Sequence, residues 1–235
     1  MRRRVGGVVV LVAVAAAAVA ISAGPAGAAD ECNGLRVCLP VAGPWVVIPA
    51  GGVVYELACP LAGYVVAGTD ARVAARDVDV SFRAETGSPV GPGVSTRRSV
   101  VFQAHRTRIG AGPTSFRPFI GCIPTRGGGG RALTSYSVAT PGSKPSRPVR
   151  SIAVTRPVRR TALLVRVSCP SGSRLIGSSA AVAFRQKLAP AGAMLGAVTV
   201  ARSVVDGAVV AKVTATAARG PHAEVQVRAL CARAS

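Results

Sequence analysis

Six cysteines and one repeated segment constrain this chain more than any other feature. The stretch Val53-Val54-Tyr55-Glu56-Leu57-Ala58-Cys59-Pro60 returns as Leu163-Leu164-Val165-Arg166-Val167-Ser168-Cys169-Pro170. A turn glycine follows each Cys-Pro, Gly63 or Gly172, and after four more residues comes Gly68-Thr69 or Gly177-Ser178. Each copy closes on a cysteine, Cys122 or Cys231, at separations of 63 and 62 residues. The one-residue difference falls between Cys-Pro and the turn glycine. A fixed internal period of this kind marks a duplicated unit. The economical pairing is one bridge per copy, Cys59–Cys122 and Cys169–Cys231. Cys32 and Cys38 then close a short loop over Asn33-Gly34-Leu35-Arg36-Val37. In the chain-entropy model each long bridge contributes roughly 4 kcal/mol and the short one about 2 kcal/mol. Metal binding is disfavoured: no Cys-x-x-Cys occurs, and His105 and His222 lie near none of the cysteines. No cofactor is expected.

Disulfides imply an oxidising compartment, and the N-terminus carries a matching address. Arg2, Arg3 and Arg4 form a positive n-region, residues 5–23 are apolar or small without a charge, and Gly24-Pro25 breaks the run. Ala26-Gly27-Ala28 then supplies a small-x-small cleavage site, so residues 1–28 read as a signal peptide. The uncharged run is also just long enough to span a bilayer, which keeps an uncleaved membrane anchor at residues 5–23 as the alternative. The four residues after Cys231 offer no room for a second span.

The remainder reads as strands. Asp77-Val78-Asp79-Val80-Ser81-Phe82-Arg83-Ala84 alternates with period two, and so does the stretch from Ala223 to Cys231, where Val225, Val227, Ala229 and Cys231 share a face. Glycine and proline punctuate the rest at short intervals. Residues 189–201 have a helix-like composition, but Pro190 and two glycines argue against a helix. Several short strands at this spacing suggest β-sandwiches. Immunoglobulin hallmarks are missing: Trp45 precedes the first cysteine of its pair, and no tyrosine stands two residues before Cys122 or Cys231. Trp45 is read as a core residue on a first strand.

The pattern Cys59-Pro60-x-x-Gly63-x(4)-Gly68 with a closing Cys122, and its counterpart from Cys169-Pro170 to Cys231-Ala232, resembles a small module of secreted bacterial proteins. That module carries Cys-Pro-x-Gly, a glycine-rich turn and a last strand ending in Cys-Ala. This chain departs from it at Thr69 and Ser178, where a second glycine is usual, and at Ile123 after Cys122. The resemblance implies architecture and no catalytic residues. The expected fold is therefore all-β: two tandem disulfide-linked β-sandwich repeats, Ig-like or jelly-roll-like, after an N-terminal signal helix. The expected segments are 1–28 signal peptide, 29–44 with the small disulfide loop, 45–124 repeat 1, 125–148 basic linker and 149–235 repeat 2.

Charge enters last. The chain holds 29 Lys+Arg against 9 Asp+Glu, a formal +20. Three of the arginines belong to the signal, and the acid-free connector 125–161 holds eight basic residues. Its Gly/Pro/Ser-rich part, 125–148, reads as an extended linker, and residues 149–162 as the entering strand of repeat 2. Candidate anion contacts are Arg126, Arg131, Lys144, Arg147, Arg150, Arg156, Arg159 and Arg160. Their partner would be an anionic cell-wall polymer, acidic glycan or lipid headgroup held electrostatically. Specific nucleic-acid recognition is not expected, since Tyr136 is the only aromatic near the connector to stack on a base.

Catalytic signatures are absent from the sequence: there is no G-x-S-x-G, H-E-x-x-H, phosphate loop or dinucleotide fingerprint. His105 and His222 occupy non-equivalent places, and Asp77 and Asp79 are expected to share a strand face and pair with Arg76 and Arg83. The expectation is a secreted, non-catalytic protein with a binding or structural role at the cell envelope or outside it. A secreted enzyme or enzyme inhibitor with an unrecognised loop site is the alternative.

Overall fold

The computed structural model describes residues 32, 38–83, 98–108, 112–124 and 149–233. The signal segment 1–28 and the linker 125–148 fall outside them. The described chain is mostly β-structure. Seven strands make one antiparallel sheet: β1 (Leu39–Ala42), β2 (Trp45–Ile48), β4 (Tyr64–Val73), β7 (Thr114–Pro124), β8 (Val149–Pro157), β10 (Ser173–Phe184) and β13 (Ala223–Arg233). β4 runs along one edge of β7, and β1 and β2 follow each other along its other edge. Between them Gly43 donates to the Pro118 carbonyl at 2.8 Å. A Cβ on Gly43 would stand 2.7 Å from Pro118 Cγ, so the two backbones can approach only without a side chain here.

β10, β13 and β8 continue the same sheet. The join is short, with Val46 opposite Ala183 and Trp45 opposite Phe184. Two smaller sheets complete the fold. One has the order β3 (Val53–Ala58), β6 (Ser99–Arg106), β5 (Val78–Arg83), the other β9 (Ala162–Ser168), β12 (Ala208–Ala215), β11 (Val198–Val205).

Alternation explains how one sheet serves two cores. On β2, Val46 and Ile48 enter the core under β3 and β6, whereas Val47 enters the core under β9 and β12. On β10, Ala181 and Ala183 go to the first core and Val182 and Phe184 to the second. Successive strand residues point to opposite faces, so the small sheets lie on opposite faces of the large one. The arrangement is β-sandwich-like on each side.

Two of the three disulfides cross between layers. Cys59, just after β3, bonds Cys122 of β7 with a Cα separation of 5.9 Å; Cys169, just after β9, bonds Cys231 of β13 at 5.6 Å; Cys32 bonds Cys38. Gly63 and Gly172 turn with φ of 80° and 74°, the left-handed region that glycine enters without cost. A register shift falls between Val66 and Gly68 in β4 and between Leu175 and Gly177 in β10, so each of the two glycine turns is followed by a bulge.

Four local expectations are corrected. β13 is not half-buried: Glu224, Gln226 and Arg228, between its core-facing residues, are also buried, because β3 lies across that face. Phe82 shares the apolar face of Val78 and Val80 but is 57% exposed, since β5 is the outer strand of its small sheet. Residues 189–201 do contain a helix, the single turn α1 (Gly192–Leu195), which Pro190 precedes without interrupting. Asp77 lies in the turn before β5, so it does not share a strand face with Asp79.

Candidate functional site

The predicted anion-binding residues divide in two. Arg126, Arg131, Lys144 and Arg147 lie outside the described residues. Arg150, Arg156, Arg159 and Arg160 are all exposed on β8 and the turn after it. Arg150 pairs in register with Cys231 and Arg156 with Val225, so both project from one face of β8, roughly 20 Å apart at the usual strand rise. β8 ends the large sheet, and among the described residues no strand bonds its outer edge. Arg159 and Arg160 follow in a turn braced by Arg219, whose three guanidinium nitrogens donate to the carbonyls of Val158 (3.1 Å), Thr216 (3.0 Å) and Arg159 (3.0 Å). Arg219 is thus a structural clamp that displays its two neighbours. The acids of this half do not neutralise the row. Glu224 is buried and bonded by Arg185 at 2.6 Å, and Asp206 occupies the β11–β12 hairpin tip.

A second polar constellation was not foreseen. The free edge of β3 rests on the face of β13 and β8, and Gln226 closes that edge. Its amide oxygen accepts from the Glu56 N–H at 2.7 Å, and its amide nitrogen donates to the Glu56 carbonyl at 2.9 Å. Arg228 Nε donates to Glu56 Oε2 at 3.1 Å and to Ser151 Oγ at 2.7 Å, and Ser151 also donates to Glu56. Tyr55, 2% exposed, reaches Glu224 at 3.5 Å. Burial, and then the Glu224 charge, push the Tyr55 phenol above its ordinary range. The signal for this cluster was the polar alternation Glu224, Gln226, Arg228, which reads equally well as a solvated face.

The remaining titratable groups are simpler. Arg106 donates to Asp77 and holds its carboxyl below the usual range; neither Arg76 nor Arg83 supplies that contact. Asp79 faces His105 at 3.6 Å, both more than half exposed at 60% and 57%. His222 is exposed in the turn before β13. Trp45 is 3% exposed and donates to the Lys187 carbonyl at 3.4 Å. All six cysteines are bridged, so no thiol is free as a nucleophile. Among the described residues no three His, Cys, Asp or Glu side chains gather as metal ligands, and no helix is long and apolar enough to cross a membrane.

One open cleft of about 590 Å³ separates the β2–β3 turn and β6 from β10 and β11. It is lined by Gly51, Gly52, Gln103, His105, Ser178 and Arg202, among others. Arg202 donates to the Ser178 carbonyl, and the neighbouring Ser179 hydroxyl is buried without a hydrogen-bond partner among the described residues. These groups offer donors for a polar ligand, but His105 presents Nε2 to Asp79 rather than to a serine.

Compared with known proteins, the chain matches no family model, no curated protein and no solved structure.

Proposed function

We propose that this chain is an exported, non-catalytic binding or scaffolding protein that holds anionic polymer at the cell envelope or outside the cell. The observation that carries the reading is the row formed by Arg150, Arg156, Arg159 and Arg160, exposed along a strand edge and a braced turn with no carboxylate paired to any of them among the described residues. Charges spread over some 20 Å suit a repeating polyanion better than one small anion. Export accords with three disulfides, which persist in oxidising compartments, and with the signal-like residues 1–28. We also read the chain as a tandem duplication of one sandwich module. The strand order β4-β7-β2 matches β10-β13-β8, and β3-β6-β5 matches β9-β12-β11, each pair of layers crossed by one disulfide.

The test is retention on immobilised polyglycerol phosphate across a salt gradient. The triple variant R156Q/R159Q/R160Q should elute at clearly lower salt than wild type, with a smaller slope of log affinity against log salt. Equal elution of the two proteins would defeat the reading. An intact-mass measurement on secreted protein decides between cleavage after Ala28 and a retained anchor.

The cleft favours a second reading, a hydrolytic enzyme using His105 and Ser178, which both line it. Covalent labelling by a fluorophosphonate probe, lost in His105→Ala, would support it over the binding role.

A further inference from the structure

The other half of the molecule carries a separate electrostatic anomaly. Arg72 on β4 stands directly opposite Arg117 on β7. Like charges facing each other across a strand pair destabilise a sheet, so something must offset them or the sheet bears the cost. Arg117 is held in place and cannot swing away. Its Nε donates to the Gly43 carbonyl at 2.9 Å, one amino group donates to the Lys187 carbonyl at 3.5 Å, and the guanidinium lies 5.5 Å from the centre of the Phe119 ring. Burial, and then the Arg72 charge, lower its affinity for its own proton. The other amino group of Arg117 and the whole guanidinium of Arg72 have no hydrogen-bond partner among the described residues. Asp70, the acid on this face of β4, sits opposite Phe119, accepts from the Ala71 N–H at 2.7 Å, and forms no ion pair with either arginine. Lys187 lends this corner its backbone carbonyl.

We propose that Arg72 and Arg117 form a discrete oxyanion site for a phosphate group. Two guanidinium forks on adjacent strands need an acceptor with oxygens turned to both. A tetrahedral phosphate has them, whereas a carboxylate is already satisfied by a single fork. The site lies on strands of the rigid sheet, so the geometry is set before the ligand arrives. It stands independently of the β8 row, which belongs to the other end of the sheet. The phosphate group could be free, on a small monoester or in a phosphodiester polymer.

The single tryptophan reports on this corner, because Trp45 and Arg117 donate to the same Lys187 carbonyl. Inorganic phosphate titrated into the oxidised full-length secreted protein, at constant ionic strength made up with chloride, should change Trp45 emission saturably. Arg72→Gln should weaken the response at least tenfold, and its melting midpoint without phosphate should equal or exceed that of wild type, because the facing charges are relieved. Phosphate should raise the midpoint of wild type and leave that of the variant unchanged. R156Q/R159Q/R160Q should bind phosphate as wild type does, which separates this site from the β8 reading. Parallel titrations with glycerol 3-phosphate and polyglycerol phosphate rank the sources, and saturable binding of any of them through Arg72 upholds the site. A linear response, an Arg72→Gln protein identical to wild type, or acetate binding as tightly as phosphate would overturn it.

Discussion

Arg228→Met should be the most damaging conservative change on the β13 face that meets β3. The arginine and Glu56 side chains are only 10% and 11% exposed. Met keeps the volume and removes the charge, leaving the Glu56 carboxylate buried without its counter-ion. Removing one partner of a buried ion pair typically costs about 3–5 kcal/mol. Ser151 continues to donate to Glu56 Oε2, so the lower end, about 3 kcal/mol, is expected. Urea unfolding followed by Trp45 emission reads it: with a slope of ~2 kcal/mol/M the midpoint should fall by roughly 1.5 M. Glu56→Gln should cost less, because Arg228 keeps its bond to Ser151 Oγ. The double variant E56Q/R228M should recover most of the loss, because neither charge is then unpaired, giving a coupling of about 2 kcal/mol or more. A cost for Arg228→Met within about 0.5 kcal/mol, the range of ordinary surface substitutions, would refute the premise that these two side chains join the halves. So would strict additivity in the double variant.

Other outcomes follow from the same structure. Gln226→Ala removes both bonds that close the Glu56 edge and should cost roughly 2 kcal/mol in the same urea assay. Gly43→Ala forces a methyl to within 2.7 Å of Pro118 Cγ and should destabilise by about 1–3 kcal/mol, read as a lower melting midpoint. Replacing Cys59 and Cys122 together by alanine should cost roughly 4 kcal/mol in the chain-entropy model; an unchanged urea midpoint would contradict that. Tyr55 has a raised folded-state pKa, so its contribution is full below the unfolded value of about 10 and is lost as pH climbs beyond it. Tyr55→Phe should flatten the alkaline fall in stability. Asp77 is shifted the other way by Arg106: its contribution is present above about pH 4 and fades below it, and Arg106→Gln should remove that acid dependence.

Cysteine spacing and the two similar Cys-Pro segments lead to the same three pairs that the structure bonds. The turn glycines were legible because positive φ is a local demand: Gly63 and Gly172 meet it wherever their strands go. Trp45 was legible as core from its chemistry. Phe82 misled, since period two reports the two faces of a strand but not whether a neighbouring layer extends far enough to cover one. The Glu224, Gln226 and Arg228 face misled in the opposite sense, because a polar row looks solvated until β3 is laid across it. Arg72 and Arg117 lie 45 positions apart, and only β4–β7 register makes them neighbours.

Taken alone, the sequence determined strand character, turn positions and bridge partners. Each follows from side-chain periodicity, from glycine's access to positive φ, or from the spacing of the cysteines. Tertiary structure alone decided that strands of both halves share one sheet, that β2 and β10 serve two cores on opposite faces, and which polar groups lie buried between the halves. The physical reason is that these outcomes rest on register between distant strands. A one-residue slip sends every side chain to the other face, and nothing within either strand records the choice.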